Sequence, residues 1–256
     1  MSLNDLLTPD AVIASLRVNG KKQALQELSD RAAVILFPGS NRDGDFVRAW
    51  RLTNGEAPAI VWHDESALPE NTDLVVLPGG FSYGDYLRCG AIAARTRVME
   101  AVRSHAARGG LVLGICNGFQ ILCEAHLLPG ALTRNSKLRF IHTDVRLTVS
   151  NTATAWTSAY EAGQEITVPL KSGEGAYAAD EATLDELERT GRVVVRYSRT
   201  APNGAARDIA GIRNGSGNVV GLMPHPEHAI NALTGPSADG LGFFTSVVSA
   251  FTGVGA

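Results

Sequence analysis

The chain has 256 residues, of which 45% are hydrophobic and 19% charged, and its formal net charge is −3. This composition is that of a globular protein with one large domain, alone or with an appendage, and its charge gives no reason to expect nucleic acid or a membrane surface as a partner. Three cysteines in a chain this long do not make a disulfide framework. No secretory signal or bilayer-spanning apolar stretch is present, so we expect a soluble, cytoplasmic protein with reduced thiols.

The chain divides near residue 30. Spaced leucine, valine and isoleucine residues in 1–30 predict two amphipathic helices, which we assign to an N-terminal helical extension preceding a domain over 31–256. In that domain, β-branched runs alternate with helical stretches. The predicted strands are 33–37, 59–62, 73–77, 111–115, 193–197, 208–212 and 219–223, and the predicted helices are 45–53, 91–108, 119–125, 180–190 and 241–251. This alternation predicts an α/β fold, a mostly parallel sheet covered by helices on both faces.

The strongest catalytic signal is the segment 114–118, Gly-Ile-Cys-Asn-Gly, between an apolar strand and a predicted helix. Glycines two residues before and after a nucleophile allow a sharp strand-to-helix turn, because a Cβ at either position would clash. The turn exposes the central thiol at the carboxyl end of the sheet and aims a helix N-terminus at it, which favours the thiolate. A buried structural cysteine is the alternative. The complete pattern predicts that Cys116 is a nucleophile.

A second signal is Pro224-His225-Pro226-Glu227, which directly follows a predicted strand. His225 and Glu227 are two residues apart, so in an extended backbone their side chains point the same way. Glu227 could then accept a hydrogen bond from one imidazole nitrogen while the other faces Cys116. The alternative is a surface turn with a solvated His–Glu pair. A zinc deaminase would need a following Pro-Cys-x-x-Cys, which this sequence lacks, so we predict no metal site.

A third signal is the loop 77–85, in which Gly79 and Gly80 follow an apolar strand. Backbone N–H groups at such glycines can approach a ligand closely. One of them, with the N–H of Asn117, could form an oxyanion hole for a tetrahedral intermediate. Alone, a Pro-Gly-Gly loop indicates only a turn; beside the Cys116 turn it predicts part of an active site.

The collinear stretches 37–41, 77–93, 114–120, 128–132, 203–204, 209–212 and 223–227 all resemble one protein family. That family is the class I, or triad, glutamine amidotransferases, and in particular the glutaminase subunits of phosphoribosylformylglycinamidine synthase. The resemblance covers roughly residues 33–250. It implies a flavodoxin-like fold, a Cys116–His225–Glu227 triad, and oxyanion or substrate contacts from Gly79, Gly80, Phe81, Asn117 and Gln120. Arg42 and Ser172 depart from the family, which often has Cys and His there.

The resemblance also implies a reaction. Cys116 attacks the side-chain amide of glutamine, ammonia leaves, and a glutamyl thioester is hydrolysed to glutamate. The ammonia passes to a separate synthetase (large) subunit, which uses ATP and Mg²⁺ to make formylglycinamidine ribonucleotide in purine biosynthesis, and a small third subunit completes the complex. This chain has no Gly-x-x-x-x-Gly-Lys loop, so we expect no cofactor in it.

Two other functions remain open on the residues alone: a different cysteine hydrolase on the same scaffold, and a non-catalytic regulatory subunit that docks on a synthetase. Cys89 and Cys123 are interpreted as buried packing residues, and His228 as a surface residue. Tyr86 and Arg88 are assigned either to the glutamine pocket or to the synthetase interface.

Overall fold

A computed structural model describes residues 31–252 of the chain. The helices predicted for residues 1–30 lie outside the described residues, and the domain boundary near residue 30 stays a prediction. No helix within 31–252 has the length and apolar character needed to cross a membrane.

The described chain contains eleven strands and five α-helices. The strands are β1 (Ala32–Leu36), β2 (Ala59–Trp62), β3 (Leu74–Leu77), β4 (Leu111–Ile115), β5 (Ala131–Thr133), β6 (Ile141–Val149), β7 (Glu165–Ser172), β8 (Ala176–Ala178), β9 (Val193–Tyr197), β10 (Ile209–Arg213) and β11 (Val219–Leu222). The helices are α1 (Asp43–Asn54), α2 (Val98–Ala107), α3 (Asn117–Glu124), α4 (Glu181–Arg189) and α5 (Leu241–Thr252).

Nine strands form one sheet in the order β2-β1-β3-β4-β11-β10-β9-β6-β7. Pairing is parallel from β2 to β11. From β11 onward every pair is antiparallel. The α/β class is therefore confirmed, with a parallel half joined to an antiparallel half.

All five strands of the parallel half were predicted from the sequence, as were β9 and β10 of the antiparallel half. β3 and β11 are buried along their whole length, and Val112 to Ile115 of β4 are buried too. The helix predicted over 241–251 is confirmed as α5, where buried Phe244 packs against Phe46 of α1 with ring centroids 5.5 Å apart. Strands covered on both faces lack polar alternation, which is why they are recognisable as apolar runs.

Strands β5 to β8 were not predicted. In β6 buried Val145, Leu147 and Val149 alternate with more exposed residues, the pattern of an antiparallel strand with one wet face. β7 contains Pro169, which argues against an inner strand, and β7 indeed forms an edge of the sheet.

The helix predicted over 91–108 was wrong at its start. Residues Ala93–Arg95 form a 3₁₀ turn, and Thr96 is extended at φ −72°, ψ 160°, so α2 begins only at Val98. An extended residue ends one hydrogen-bonded run before the next can begin.

Candidate active site

The carboxyl ends of three neighbouring strands bring the predicted site together. β3 and β11 both pair with β4 in parallel, with Leu77 opposite Gly114 and Leu222 opposite Ile115. The chain segments after these strands therefore emerge at one edge of the sheet. They carry the Gly79–Gly80 loop, Cys116 and His225.

The backbone at Cys116 has the sharp turn that the sequence predicts. Its φ of 52° and ψ of −104° lie in a region that residues other than glycine rarely adopt, and α3 begins at the next residue. The Cys116 N–H donates to the carbonyl of Leu222 at 2.8 Å, which ties the turn to β11. A Cβ at Gly118 would lie 1.9 Å from the carbonyl oxygen of Leu77, and one at Gly114 would lie 2.6 Å from the Gly118 backbone.

His225 and Glu227 form a buried pair. The imidazole Nδ1–H donates to Glu227 Oε1 at 2.5 Å, and the two side chains are 2% and 1% exposed. The backbone between them is not extended as expected. Pro226–His228 form a 3₁₀ turn, and the pair meets because His225 itself stays outside that turn, at φ −110° and ψ 88°. The His225 N–H donates to the carbonyl of Pro169 in β7 at 2.8 Å.

The pair shifts both titrations in the sense that charge pairing requires. Burial alone opposes an imidazolium, but the charges of the Glu227 and Cys116 side chains and their hydrogen bonds to the ring outweigh it and raise the pKa of His225. Burial likewise opposes the Glu227 carboxylate, yet the charge and hydrogen bond of His225 lower the pKa of Glu227. His225 Nε2 is buried and has no hydrogen-bond partner among the described residues. It is therefore available to exchange a proton with a group in the cavity that His225 and Cys116 line.

That cavity has a volume of about 460 Å³. It is lined by Asn41, Arg42, Gly80, Phe81, Asp85, Cys89, Cys116, Gln120, Arg134, Leu138, Arg139, Phe140, His142, Lys171, Ser172, Gly173, Glu174 and His225. Carboxylates and cationic side chains share this lining. A pocket of this size with groups of both charges suits a zwitterionic amino acid.

The predicted oxyanion and substrate residues take different positions. A Cβ at Gly79 would lie 2.9 Å from Cε1 of His225, so the bare Gly79 backbone packs against the imidazole, while Gly80 lines the cavity. The Phe81 N–H donates to the carbonyl of Gly39 at 3.0 Å and is therefore already engaged. Phe81 contributes its side chain, which is 46% exposed, to the cavity wall.

Asn117 and Gln120 join three parts of the site. The side-chain oxygen of Asn117 accepts from the Ser82 N–H at 3.2 Å, and its amide donates to Gln120 Oε1 at 2.8 Å. The Gln120 amide in turn donates to the carbonyl of Glu174 at 2.6 Å. These bonds hold α3, the 77–85 loop and the segment after β7 in one arrangement.

The remaining cysteines are buried, as predicted. Cys123 donates to the carbonyl of Pro129 at 3.8 Å. Cys89 also lines the cavity, where its thiol donates to Glu174 Oε2 at 3.2 Å. Burial raises the pKa of both thiols, and in Cys89 the neighbouring Glu174 and Asp85 add to that rise.

Two other predictions change. Tyr86 and Arg88 are not among the residues that line the cavity, which leaves the synthetase interface as the prediction for them. Tyr86 is 74% exposed, and Arg88 pairs with Glu124 at 2.5 Å. His228 is partly buried and not a solvated surface residue, since its side chain is 13% exposed. Nothing in the sequence predicts its partner Asp45, which lies 183 residues away in α1.

Ligand atoms of His225, Glu227 and His228 lie within 4.8 Å of one another, as a metal site would require. However, Glu227 already accepts from His225, and the Lys171 ammonium lies 3.2 Å from His228 Nδ1. A metal ion would have to break that pair beside a positive charge, so we assign these residues no metal.

Comparison with known proteins identifies the family. A model of the CobB/CobQ-like glutamine amidotransferase domain matches residues 29–242. The "Phosphoribosylformylglycinamidine synthase subunit PurQ" of Rhodococcus jostii is 62% identical over 222 residues, covering 86% of this chain and 97% of the relative. The protein of the same name from Bradyrhizobium diazoefficiens is 57% identical over 225 residues, covering 85% and 96%.

Solved structures agree. A chain of the PurLQS structure from Thermotoga maritima superposes with a TM-score of 0.78 at 44% identity, covering 87% of this chain and 99% of that one. The glutaminase domain of Trypanosoma brucei CTPS, with bound acivicin, shares the fold at a TM-score of 0.53 and 13% identity. The chain therefore belongs to the class I glutamine amidotransferases, in the family of the PurQ subunit of phosphoribosylformylglycinamidine synthase.

Proposed function

We propose that this chain is the glutaminase subunit of phosphoribosylformylglycinamidine synthase, hydrolysing glutamine to glutamate and ammonia for purine biosynthesis. One observation carries the proposal. In this member of the PurQ family, Cys116 and His225 both line one cavity of amino-acid size, and the buried Glu227 carboxylate is paired with His225. Neither a structural cysteine nor a solvated His–Glu turn requires that arrangement.

In the proposed reaction, His225 Nε2 takes the Cys116 proton, and the thiolate attacks the side-chain carbonyl carbon of glutamine. The N–H groups of Gly80 and Asn117 stabilise the oxyanion that forms. His225 then gives its proton to the leaving nitrogen, so ammonia departs and a glutamyl thioester remains. Water attacks the thioester with His225 as the base, which releases glutamate and returns the proton to the thiol.

Glu227 acts through His225. Its carboxylate holds the imidazole in the tautomer with Nδ1 protonated, which leaves Nε2 free to accept the thiol proton. It also stabilises the imidazolium without taking the proton itself. This pairing raises the pKa of His225 and lowers the pKa of Glu227.

The relatives' name and the PurLQS complex support the partners we propose. Ammonia would pass to a synthetase subunit in which ATP and Mg²⁺ are used, and a small third subunit would complete the complex. We propose glutamine as the substrate and the cytoplasm as the place of the reaction. The residues that carry out the reaction lie in the domain that we predict over 31–256.

The decisive experiment is replacement of the thiol. In the reconstituted complex, Cys116→Ala should abolish formation of the amidine with glutamine, whereas activity with added ammonia should persist because the synthetase does not need the thiol. Cys123→Ala, which removes another buried thiol, is the matched control and should keep both activities. Glutamate release by Cys116→Ala at the wild-type rate would reject the nucleophile, and wild-type chain without glutaminase activity would favour a regulatory subunit.

A further inference from the structure

His228 lies directly after the proposed triad residue Glu227 and is fixed by contacts on both ring nitrogens. Its Nε2–H donates to Asp45 Oδ2 in α1 at 2.9 Å. Its Nδ1 accepts from the Lys171 ammonium of β7 at 3.2 Å. Since one nitrogen donates and the other accepts, these bonds describe a neutral imidazole of one defined tautomer.

The fixed ring lies flat against the catalytic imidazole. The centroids of His225 and His228 are 4.9 Å apart and their planes differ by 16°. The Glu227 bond at Nδ1 and the Gly79 backbone near Cε1 contact the edge of the His225 ring. The stacked neighbour restrains the plane itself, and so the direction in which Nε2 points.

We propose that His228 is a positioning residue: its neutral ring, held between Asp45 and Lys171, stacks on His225 and aims Nε2 at the Cys116 thiol. This inference rests on the proposed glutaminase function and adds to it a residue outside the triad.

The charges around His228 agree with a neutral ring. Burial lowers the pKa of His228, and His225 and Lys171 lower it further, against the opposing effects of Glu227 and Asp45. Arg42 and Arg48 contact Asp45 at 3.3 and 3.5 Å. The pKa of the stacked His225 is raised instead. A neutral neighbour lets His225 become an imidazolium without repulsion between like charges.

Lys171 connects this arrangement to the nucleophile. Its ammonium donates to His228, while its backbone carbonyl accepts from the Cys116 thiol at 3.5 Å. One residue of β7 therefore contacts both the nucleophile and the ring that stacks on His225. A shift of His228 would change the plane of His225 relative to a thiol that is held separately.

The test compares His228→Gln, which removes the ring, with His228→Phe, which keeps a stacked ring and loses both hydrogen bonds. In the assembled complex, His228→Gln should lower kcat for glutamate release by roughly 10- to 100-fold, the effect of a small misplacement of a catalytic group, and leave KM within about threefold. His228→Phe should recover most of that loss. Activity with added ammonia should not change in either variant.

A second readout does not need glutaminase activity. Alkylation of Cys116 by iodoacetamide, followed across pH by peptide mass spectrometry, reports the thiolate–imidazolium pair directly. In His228→Gln the midpoint of this profile should move to higher pH, because a tilted imidazolium stabilises the thiolate less. A wild-type complex that releases no glutamate would reject the proposed function, while the alkylation profile would still decide the positioning.

His105→Gln is the matched control, since it removes another buried histidine, bonded to the Leu111 carbonyl at 3.2 Å at the opposite end of β4. It should lower the melting temperature and leave kcat and the alkylation profile unchanged. A His228→Gln kcat within about threefold of wild type, or equal losses in His228→Gln and His228→Phe, would overturn the proposal. If His228→Gln does not fold, His228→Leu replaces it, since leucine also removes the planar ring: a roughly 10-fold or greater loss of kcat relative to His228→Phe supports the proposal, and equal values in the two variants reject it.

Discussion

At the scale of single residues, the chain holds three buried thiols in different surroundings. Cys116 starts a helix and faces a buried imidazole, whereas Cys89 lies beside two carboxylates and Cys123 is enclosed in the core. Negative neighbours and burial keep a thiol protonated, while a helix N-terminus and an imidazolium favour the reactive thiolate.

This contrast predicts where a reactive glutamine analogue will bind covalently. An analogue with an electrophile at the side-chain carbonyl should label Cys116 and leave Cys89 unmodified, although both thiols line the same cavity. Peptide mapping by mass spectrometry identifies the adduct. Labelling mainly on Cys89 would show that position in the cavity, and not thiolate stabilisation, controls the reaction.

Glu227→Gln tests the carboxylate of the pair. Glutamine keeps the size and a hydrogen bond but loses the charge that stabilises the imidazolium, so turnover should fall roughly 10²- to 10⁴-fold while KM changes little. Steady-state kinetics of the assembled complex measures both constants. Turnover within about threefold of wild type would reduce the proposed triad to a Cys–His dyad.

The same pair makes stability depend on pH. The raised pKa of His225, about 10 against a usual 6.5, means that its contribution is complete below pH 6.5 and is lost as pH rises toward 10. The lowered pKa of Glu227 means that its contribution is present above its usual value of 4.5 and is lost as pH falls below it. Urea unfolding should therefore show the largest difference between wild type and Glu227→Gln near pH 5 to 6, and a smaller one at pH 10. A difference that does not change across this range would contradict the pairing.

At the scale of elements, the turn between β4 and α3 determines where the nucleophile lies. The turn brings α3 close to β3 at Gly118. It can form only because Gly118 has no side chain to meet the carbonyl oxygen of Leu77. The strained backbone of Cys116 is the consequence of this close approach.

Gly118→Ala should therefore destabilise the protein, because no side chain fits 1.9 Å from a backbone oxygen. We expect a loss at or above the upper end of the 1–3 kcal/mol that is typical of overpacking, about 3 kcal/mol. Urea unfolding measures the loss. The control is Gly215→Ala, where a Cβ meets nothing within 4 Å and stability should stay within about 0.5 kcal/mol of wild type.

At the scale of the whole molecule, the antiparallel half of the sheet supports the chemistry of the parallel half. β7, at the far edge, accepts the His225 N–H at Pro169, and Lys171 of the same strand contacts both Cys116 and His228. The twist that accumulates across a sheet of many strands allows an edge strand such as β7 to reach the site. One strand of the antiparallel half thus holds both the proposed nucleophile and the proposed base, which are far apart in the sequence.

The family model begins at residue 29, close to the predicted domain boundary. We therefore expect the chain from residue 31 onward to fold and, in the assembled complex, to release glutamate at a rate within about twofold of the full chain, since every residue of the proposed site lies in it. Arg31 should be kept, because it pairs with Asp73 and lies over the Phe251 ring at 4.6 Å. Loss of activity that full-length chain restores would assign residues 1–30 a part in the enzyme.

Local patterns in the sequence were enough to predict seven strands, five in the parallel half of the sheet together with β9 and β10, and to propose the nucleophile, base and acid. Apolar strands, the two glycines around Cys116 and the prolines around His225 are local signals, because each follows from the backbone that its own segment must adopt. Only the fold shows strands β5 to β8, the antiparallel pairing of β9 and β10, the engaged N–H of Phe81 and the Asp45–His228–Lys171 contacts. These depend on which segments meet in space, and no local pattern encodes a contact between residues 183 positions apart.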